Sequence, residues 1–186
     1  MNLPTLRGSV AMLRAPIPSD QADRQLCGRD EEYLRGMGDD THQASDRLTD
    51  AEAEDWYRRL VDDPFCWIIE AGGRAVGTVR VHHQSEKDRN TRVGIGIFDR
   101  AWRGKGLGTE ALRLFLGHAF GELGLHRVEL HVLEHNAAAR RSYVKAGFTE
   151  EGTARDSAWI GGRFCSHVRM SILENEYRAM ERKPPE

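Results

Sequence analysis

The chain is poor in cysteine, with Cys27, Cys66 and Cys165 scattered along it and no CxxC pair, which speaks against a disulfide framework and a thiolate zinc site. No apolar run approaches ~20 residues, which excludes a transmembrane helix. The start, MNLPTLRGSV, has neither the charged n-region nor the apolar h-region of a signal peptide, so a cytoplasmic location is expected. Net charge is nearly absent too: 27 Lys and Arg face 29 Asp and Glu, a formal -2, without the basic footprint of a nucleic-acid binder. No internal repeat is visible. The His82-His83 pair and the set His126, His131 and His135 fit neither HExxH nor a Cys/His finger, so no metal is expected.

What is present is one ordinary soluble domain, 186 residues with 39% hydrophobic and 30% charged side chains, expected to span 1–186. The near-neutral total hides an uneven distribution. Between Asp20 and Asp63 fourteen acids face six arginines, a net of -8 that leaves +6 elsewhere, as the solvated faces of two helices or a protein handling one cationic and one anionic ligand would show.

The segment Ser9–Arg14 reads as a first strand closed by Pro16 and Pro18, with Ser19-Asp20 capping a short helix. Thr49 with Glu52 forms a capping box, and Trp56, Leu60 and Val61 make the apolar stripe of a second helix that stops before Pro64. Residues 65–71 and 75–82 read as a hairpin and 91–98 as another strand. Leu107, Ala111, Leu114, Phe115 and Leu123 recur at helical steps from Gly106 to about Gly121–Gly124. Residues 127–133 alternate as a strand, Asn136 caps a helix ended by Gly147, and 148 onward and 164–173 give two more strands. The result is a mixed α/β layer.

Chemistry concentrates in Trp102-Arg-Gly-Lys-Gly-Leu-Gly-Thr-Glu110, between a strand and a helix. Glycines at 104, 106 and 108 let successive N–H groups aim at one spot, and the helix N-terminus behind adds about half a positive charge. That is an anion cradle suited to a pyrophosphate, and neither GxxxxGK[ST] nor GxGxxG describes it. Downstream, Asn136, Arg140 and Tyr143 fall at i, i+4 and i+7, one helical face.

These stretches resemble the GNAT acyltransferases. RGKGLGT is similar to that family's (Arg/Gln)-x-x-Gly-x-(Gly/Ala) cofactor motif, and Asn136 with Ala-Gly-Phe at 146–148 is similar to its downstream helix. LRAPIPSD, EEGTARD and MSILENEY resemble the RimJ/RimL-type branch, which includes protein N-terminal and spermidine acetyltransferases. The resemblance covers nearly the whole chain and is strongest from 91 to 173. It implies a central, mostly antiparallel twisted sheet of six to seven strands, helices on both faces, and a V-shaped splay between the strands at 91–98 and 126–134. It further implies acetyl-coenzyme A in that splay, held by the amides of Arg103, Gly104, Lys105, Gly106, Leu107, Gly108 and Thr109, with backbone groups of Gly96, Ile97 and Phe98 on the pantetheine arm and acetyl carbonyl. Asn136 falls on the pantetheine-contacting Asn and Tyr143 on the Tyr that protonates the departing thiolate. Arg103, Lys105, Arg140, Arg141 and Lys145 then belong to the positive part facing the anionic cofactor. A homodimer is expected for this branch.

A phenol of pKa about 10 can hydrogen-bond a thiolate of pKa near 8.5 as it forms, and no catalytic Ser or Cys is needed when an amine attacks a thioester directly. The resemblance puts the base at His131, five residues before Asn136, with Glu129 on the same strand face as second candidate. Neutralising an alkylammonium of pKa near 10 at pH 7 costs about 4 kcal/mol and an α-amine near 8 only about 1.4. A single imidazole suits the α-amine or a sugar amine better. The acidic stretch 19–63, where the resemblance places acceptor-side helices beside a cofactor core at 91–148, points instead to a cationic amine. The competing expectation is a catalytically silent acyl-CoA-binding sensor or scaffold. Of Trp56, Trp67, Trp102 and Trp159, the last is expected to face substrate or a second subunit.

Overall fold

Alternation builds the sheet, as the strand Cys66–Ala71 shows most plainly. Trp67 and Ile69 point into one layer of helices and Cys66 and Ile68 into the other, and all four are buried. A strand that buries both faces must lie inside a sheet covered on both sides. The computed structural model describes residues 3–182 and contains that sheet. Its strands are β1 (Leu6–Arg7), β2 (Met12–Arg14), β3 (Cys66–Ala71), β4 (Arg74–Ser85), β5 (Asn90–Ile97), β6 (Arg127–Leu133), β7 (Thr149–Ile160) and β8 (Arg163–Leu173). They lie in the order β1-β2-β3-β4-β5-β6-β8-β7, and every pairing is antiparallel except β5 with β6. The strand beyond the expected six to seven is the two-residue β1, too short to leave an alternating pattern.

The helices are α1 (Asp20–Cys27), α2 (Glu31–Met37), α3 (Asp50–Val61), α4 (Leu107–Gly121), α5 (Ala137–Ala146) and α6 (Glu174–Glu181). Among the described residues none is long and apolar enough to cross a membrane. Local chemistry sets several ends as expected. Thr49 and Glu52 close a reciprocal capping box on α3, the Asn136 side chain accepts from Ala139 N–H at the start of α5, and Gly147 ends it in the left-handed region. The α4 stripe, Leu107, Ala111, Leu112, Phe115, Leu116 and Ala119, is wholly buried against one sheet face, where each large side chain contributes roughly 1.5–3 kcal/mol. On the other face Leu60 of α3 packs with Ile68, Ala75 and Phe98, and Cys27, Tyr33 and Trp56 cover that cluster.

Two helices lie outside the sequence expectation. The acidic stretch holds three helices rather than two, the extra one being α2, and α6 follows the last strand.

The sheet opens at one place. β5 pairs with β6 only over Asn90–Arg92 against Arg127–Glu129, whereas β6 stays paired with β8 along its full length. Opposite the point of separation β4 carries a bulge between Val81 and His83, and a bulge adds local twist and bends the strand that holds it. From Val93 to Ile97 the β6-side edge of β5 therefore has no strand partner.

Candidate active site

A cavity of about 810 Å³ fills this opening, a size that suits a cofactor or small substrate. It reaches both faces of the sheet. Ile95 and Ile97 both come up against Gly108, on the α4 side, while an added methyl at Gly96 would meet Tyr33 and Met37, and one at Gly94 would collide with the His82 ring. Alternation thus puts 95 and 97 on one face and 94 and 96 on the other, and residues from both line the cavity.

The α4 mouth is built from the glycine loop. Gly104 and Gly106 have φ of 72° and 84°, and a methyl on either would enter open space. Trp102 N–H bonds to Asp99 and Arg103 N–H to Arg100, but the N–H groups from Gly104 to Thr109 donate to no described residue. These unspent donors at the head of α4 form an anion site. Thr109 Oγ1 and Ser142 Oγ, 2.9 Å apart, tie its first turn to α5, and Arg141 and Lys145 line the same mouth.

Several residues expected at this mouth are used otherwise. Arg103 sends its guanidinium away from the cradle, to the Ile97 carbonyl at 2.9 Å and Asp30 at 2.8 Å. Lys105 stands over the Trp102 ring at 5.8 Å rather than in the cavity. Phe98 is buried, its N–H given to Val76 O and its carbonyl to Arg103. Arg140 turns out to Glu150 of β7. The i, i+4 relation fails there because Asn136 is the non-helical cap, with φ -84° and ψ 67°, so Arg141 faces the cavity in place of Arg140. Both ends of the Asn136 amide are occupied: Nδ2 donates to Gly36 O and Oδ1 accepts from Ala139 N–H.

Tyr143 of α5 lines the same cavity. It is buried, and burial alone pushes its phenol up to about 12. No described residue hydrogen-bonds its hydroxyl, which leaves that group free for a ligand.

The opposite mouth carries His82, Arg92, His131 and His167. His131 and His167 have ring centroids 6.3 Å apart. Burial lowers all three imidazoles below their usual value, helped at His131 by the Arg92 cation against the pull of Glu129, and at His82 by Arg80. Neutral at pH 7, they can accept protons. Glu129 does not line the cavity; burial raises its carboxyl, but hydrogen bonds from Arg127 and Arg92 hold it low overall. A carboxylate so held is a poor base. His82, Arg92 and His167 were not legible as site residues, and the bulge that brings in His82 has no signature beyond the paired histidines.

Part of the charge of the acidic stretch is paired within the fold. Asp20 pairs with Arg14, Asp23 with Arg74, Asp30 with Arg103, Glu52 with Arg29, Asp55 with Arg58 and Arg59, and Asp63 with Arg80. Of its carboxylates only Glu32 lines the cavity.

A family model described as an acetyltransferase (GNAT) domain matches residues 11–149. The chain belongs to the GNAT family. Among GNAT relatives, the probable N-acetyltransferase YjcK of Bacillus subtilis (strain 168) is 42% identical over 54% of this chain and 55% of its own, so the match spans about half of that relative. Spermidine N(1)-acetyltransferase of Vibrio cholerae is 36% identical over 68% of this chain and 74% of its own. A crystal structure of a GCN5-related N-acetyltransferase from Brucella melitensis superposes with TM-score 0.82 at 21% identity, covering 96% of this chain and 82% of that one, and shares the fold. As a GNAT member the chain is an acyltransferase.

Proposed function

We propose that the protein transfers the acetyl group of acetyl-CoA directly to a primary amine. The observation that carries this reading is the passage through the sheet: unspent amides at one mouth, neutral imidazoles at the other, and an unengaged phenol in its lining. The residues fit the donor. Backbone N–H groups from Gly104 to Thr109 would hold its pyrophosphate, Arg141 and Lys145 its remaining negative charge, and the open edge of β5 at Gly96 and Ile97 its amide-bearing arm. When bound, the donor supplies an activated acyl group. Tyr143 Oη then holds a hydrogen bond on the sulfur as negative charge builds there, and His131 takes the amine proton.

The expected acceptors were a small cationic amine, an amino sugar or antibiotic, and a protein N-terminus. The spermidine relative favours the first, and the acidic stretch stays net negative after four arginines from outside it have paired with its carboxylates. The dimer expected for this branch has an exposed surface to use: Trp159 and Phe164, at ring distance 4.7 Å on the β7–β8 hairpin, are 59% and 62% exposed. Free thiols at Cys27, Cys66 and Cys165 support a cytoplasmic setting.

Acetyl-CoA at a hundred times its Kd is expected to stabilise the fold by about 2.7 kcal/mol, about 5–10 °C in Tm for a chain of this size. The same assay without acceptor separates binding from turnover: a shift with no thiol release across an amine panel favours the silent acyl-CoA sensor, and no shift defeats both readings.

The lowered His131 value gives a pH signature. The acid limb of kcat/KM is expected below pH 6.5, and His131→Asn is expected to remove that limb. Stability carries the same sign: the unfolded chain takes up these protons first, so the fold loses stability as pH falls from 6.5 toward the lowered imidazole values. A urea midpoint unchanged from pH 7.5 to 5.5 would contradict the burial of these rings.

A further inference from the structure

Arg103 opens the glycine loop, yet its side chain acts outside it. Nε donates to the Ile97 carbonyl at 2.9 Å and Nη2 to the Phe98 carbonyl at 3.1 Å, so the guanidinium holds the end of the open strand β5. The same planar fork meets both oxygens of Asp30 at 2.8 Å, a bidentate pairing that fixes orientation as well as distance. Glu32 stands further off, 3.6 Å from Arg103. Asp30 is also the N-cap of α2 and accepts from Tyr33 N–H at 2.8 Å. Burial raises its carboxyl, but the hydrogen bonds from Arg103 and Tyr33 hold it low overall. The Tyr33 ring lies 5.5 Å from the Arg103 guanidinium, and its hydroxyl is 3.4 Å from where a methyl on Gly96 would stand.

Little else fixes α2. It has 7 residues and one fully buried side chain, Leu34, and so short a helix is marginal by itself. Its place depends on tethers: Asp30 to Arg103 at the start, and the Arg35 and Gly36 carbonyls to His135 and Asn136 near the end. One side of it, Glu32, Tyr33, Gly36 and Met37, lines the passage. The loop at the far end of the first tether has N–H groups from Gly104 to Thr109 with no described partner, and an anion bound to them removes freedom from the stretch that begins at Arg103. What steadies the loop therefore steadies the wall of the passage.

We propose that Arg103 and Asp30 are positioning residues, a brace through which the occupied donor loop fixes α2 and so sets the shape of the pocket that receives the amine. Both act through α2 and not on the reacting atoms. The inference rests on the acetyl-transfer reading and adds to it a means by which one substrate prepares the place of the other. By linkage, the amine then strengthens donor binding by the same factor.

The test is amide hydrogen exchange of the full chain with and without saturating acetyl-CoA. In the parent chain acetyl-CoA is expected to slow exchange in the glycine loop and, by about tenfold, in α2. Asp30→Asn leaves a good N-cap for Tyr33 N–H but takes the charge from the fork, and Arg103→Met removes the fork. Each is expected to keep the protection of the loop and lose most of that in α2, and the double variant to lose no more than Arg103→Met alone. A pair that merely supported the fold would change α2 exchange equally with and without acetyl-CoA. In thiol release with the amine used fastest in a panel, Asp30→Asn is expected to raise acceptor KM about tenfold while kcat and the Kd for acetyl-CoA stay within about twofold. No α2 protection in the parent chain, protection undiminished in Asp30→Asn, or an acceptor KM unmoved by it overturns the proposal. The two failures differ: loop protection without α2 protection sinks only this inference, whereas no protection of the loop by acetyl-CoA sinks the transfer reading beneath it.

Discussion

Tyr143→Phe is expected to lower kcat about a hundredfold, equivalent to about 2.7 kcal/mol of transition-state stabilisation, with little change in the Kd for acetyl-CoA. The magnitude follows from the environment of the phenol. Burial pushes it up to about 12, while a free thiol has pKa about 8.5, so complete proton transfer to the leaving sulfur would run uphill by about 4.8 kcal/mol. In the proposed transfer Tyr143 would therefore act by donating a hydrogen bond to developing charge, an interaction about twice as strong with an ionised partner as with a neutral one. Ground-state binding gains much less, hence the split between kcat and Kd. The substitution is clean, because the hydroxyl has no partner in the chain to orphan and the ring stays packed against Phe148. Equal kcat for the two proteins would take Tyr143 out of the chemistry.

Asp20→Ala is expected to cost about 4 kcal/mol of stability and to lower Tm by roughly 8–16 °C. Asp20 is 1% exposed. It accepts from both terminal nitrogens of Arg14, at 2.7 and 2.9 Å, and from Ile17 N–H at 2.8 Å. Removing it leaves the largely buried Arg14 guanidinium with Glu70 as its one remaining carboxylate partner and opens the turn into α1. Asp20→Asn keeps the shape and an acceptor for Ile17, so a smaller loss is expected. For contrast, the exposed pair Arg59 and Asp55, 62% and 47% exposed, predicts a change within about 1 kcal/mol for Arg59→Ala. Urea unfolding of the three variants checks the order, and a loss at Asp20 no larger than at Arg59 would refute the assignment.

What could be read from the sequence was whatever neighbours along the chain decide. The α3 capping box, the α5 cap at Asn136, the left-handed Gly147 and the glycine loop before α4 each involve residues within a few positions of one another, and each stands where it was expected. The long strands and α4 carried enough period to be seen. The β1 strand and α2 did not: α2 buries only Leu34 and is held by distant groups. Charge pairing was hidden for the same reason. A count over residues 20–63 registers fourteen acids but not that Arg14, Arg74, Arg80 and Arg103, all outside that window, neutralise four of them. His82, Arg92 and His167 come from three strands, and only the sheet register brings them to one mouth.

The fastening of α2 has a consequence for how acceptor choice can change. At its start Asp30 is gripped by Arg103, and near its end the Gly36 carbonyl is held by Asn136. Both gripping residues belong to the glycine loop and the α5 cap, and neither lies on α2. Of the residues α2 lays over Gly96, Tyr33 and Met37, Met37 is exposed, whereas the Tyr33 ring packs on the core cluster beneath it and lies 5.5 Å from the gripping Arg103 guanidinium. Tyr33 thus belongs to the anchorage as well as to the ceiling. New side chains at Met37 can reshape the roof of the passage while the helix stays moored and the glycine loop keeps its form, which makes one position of α2, rather than the helix, the exchangeable tile.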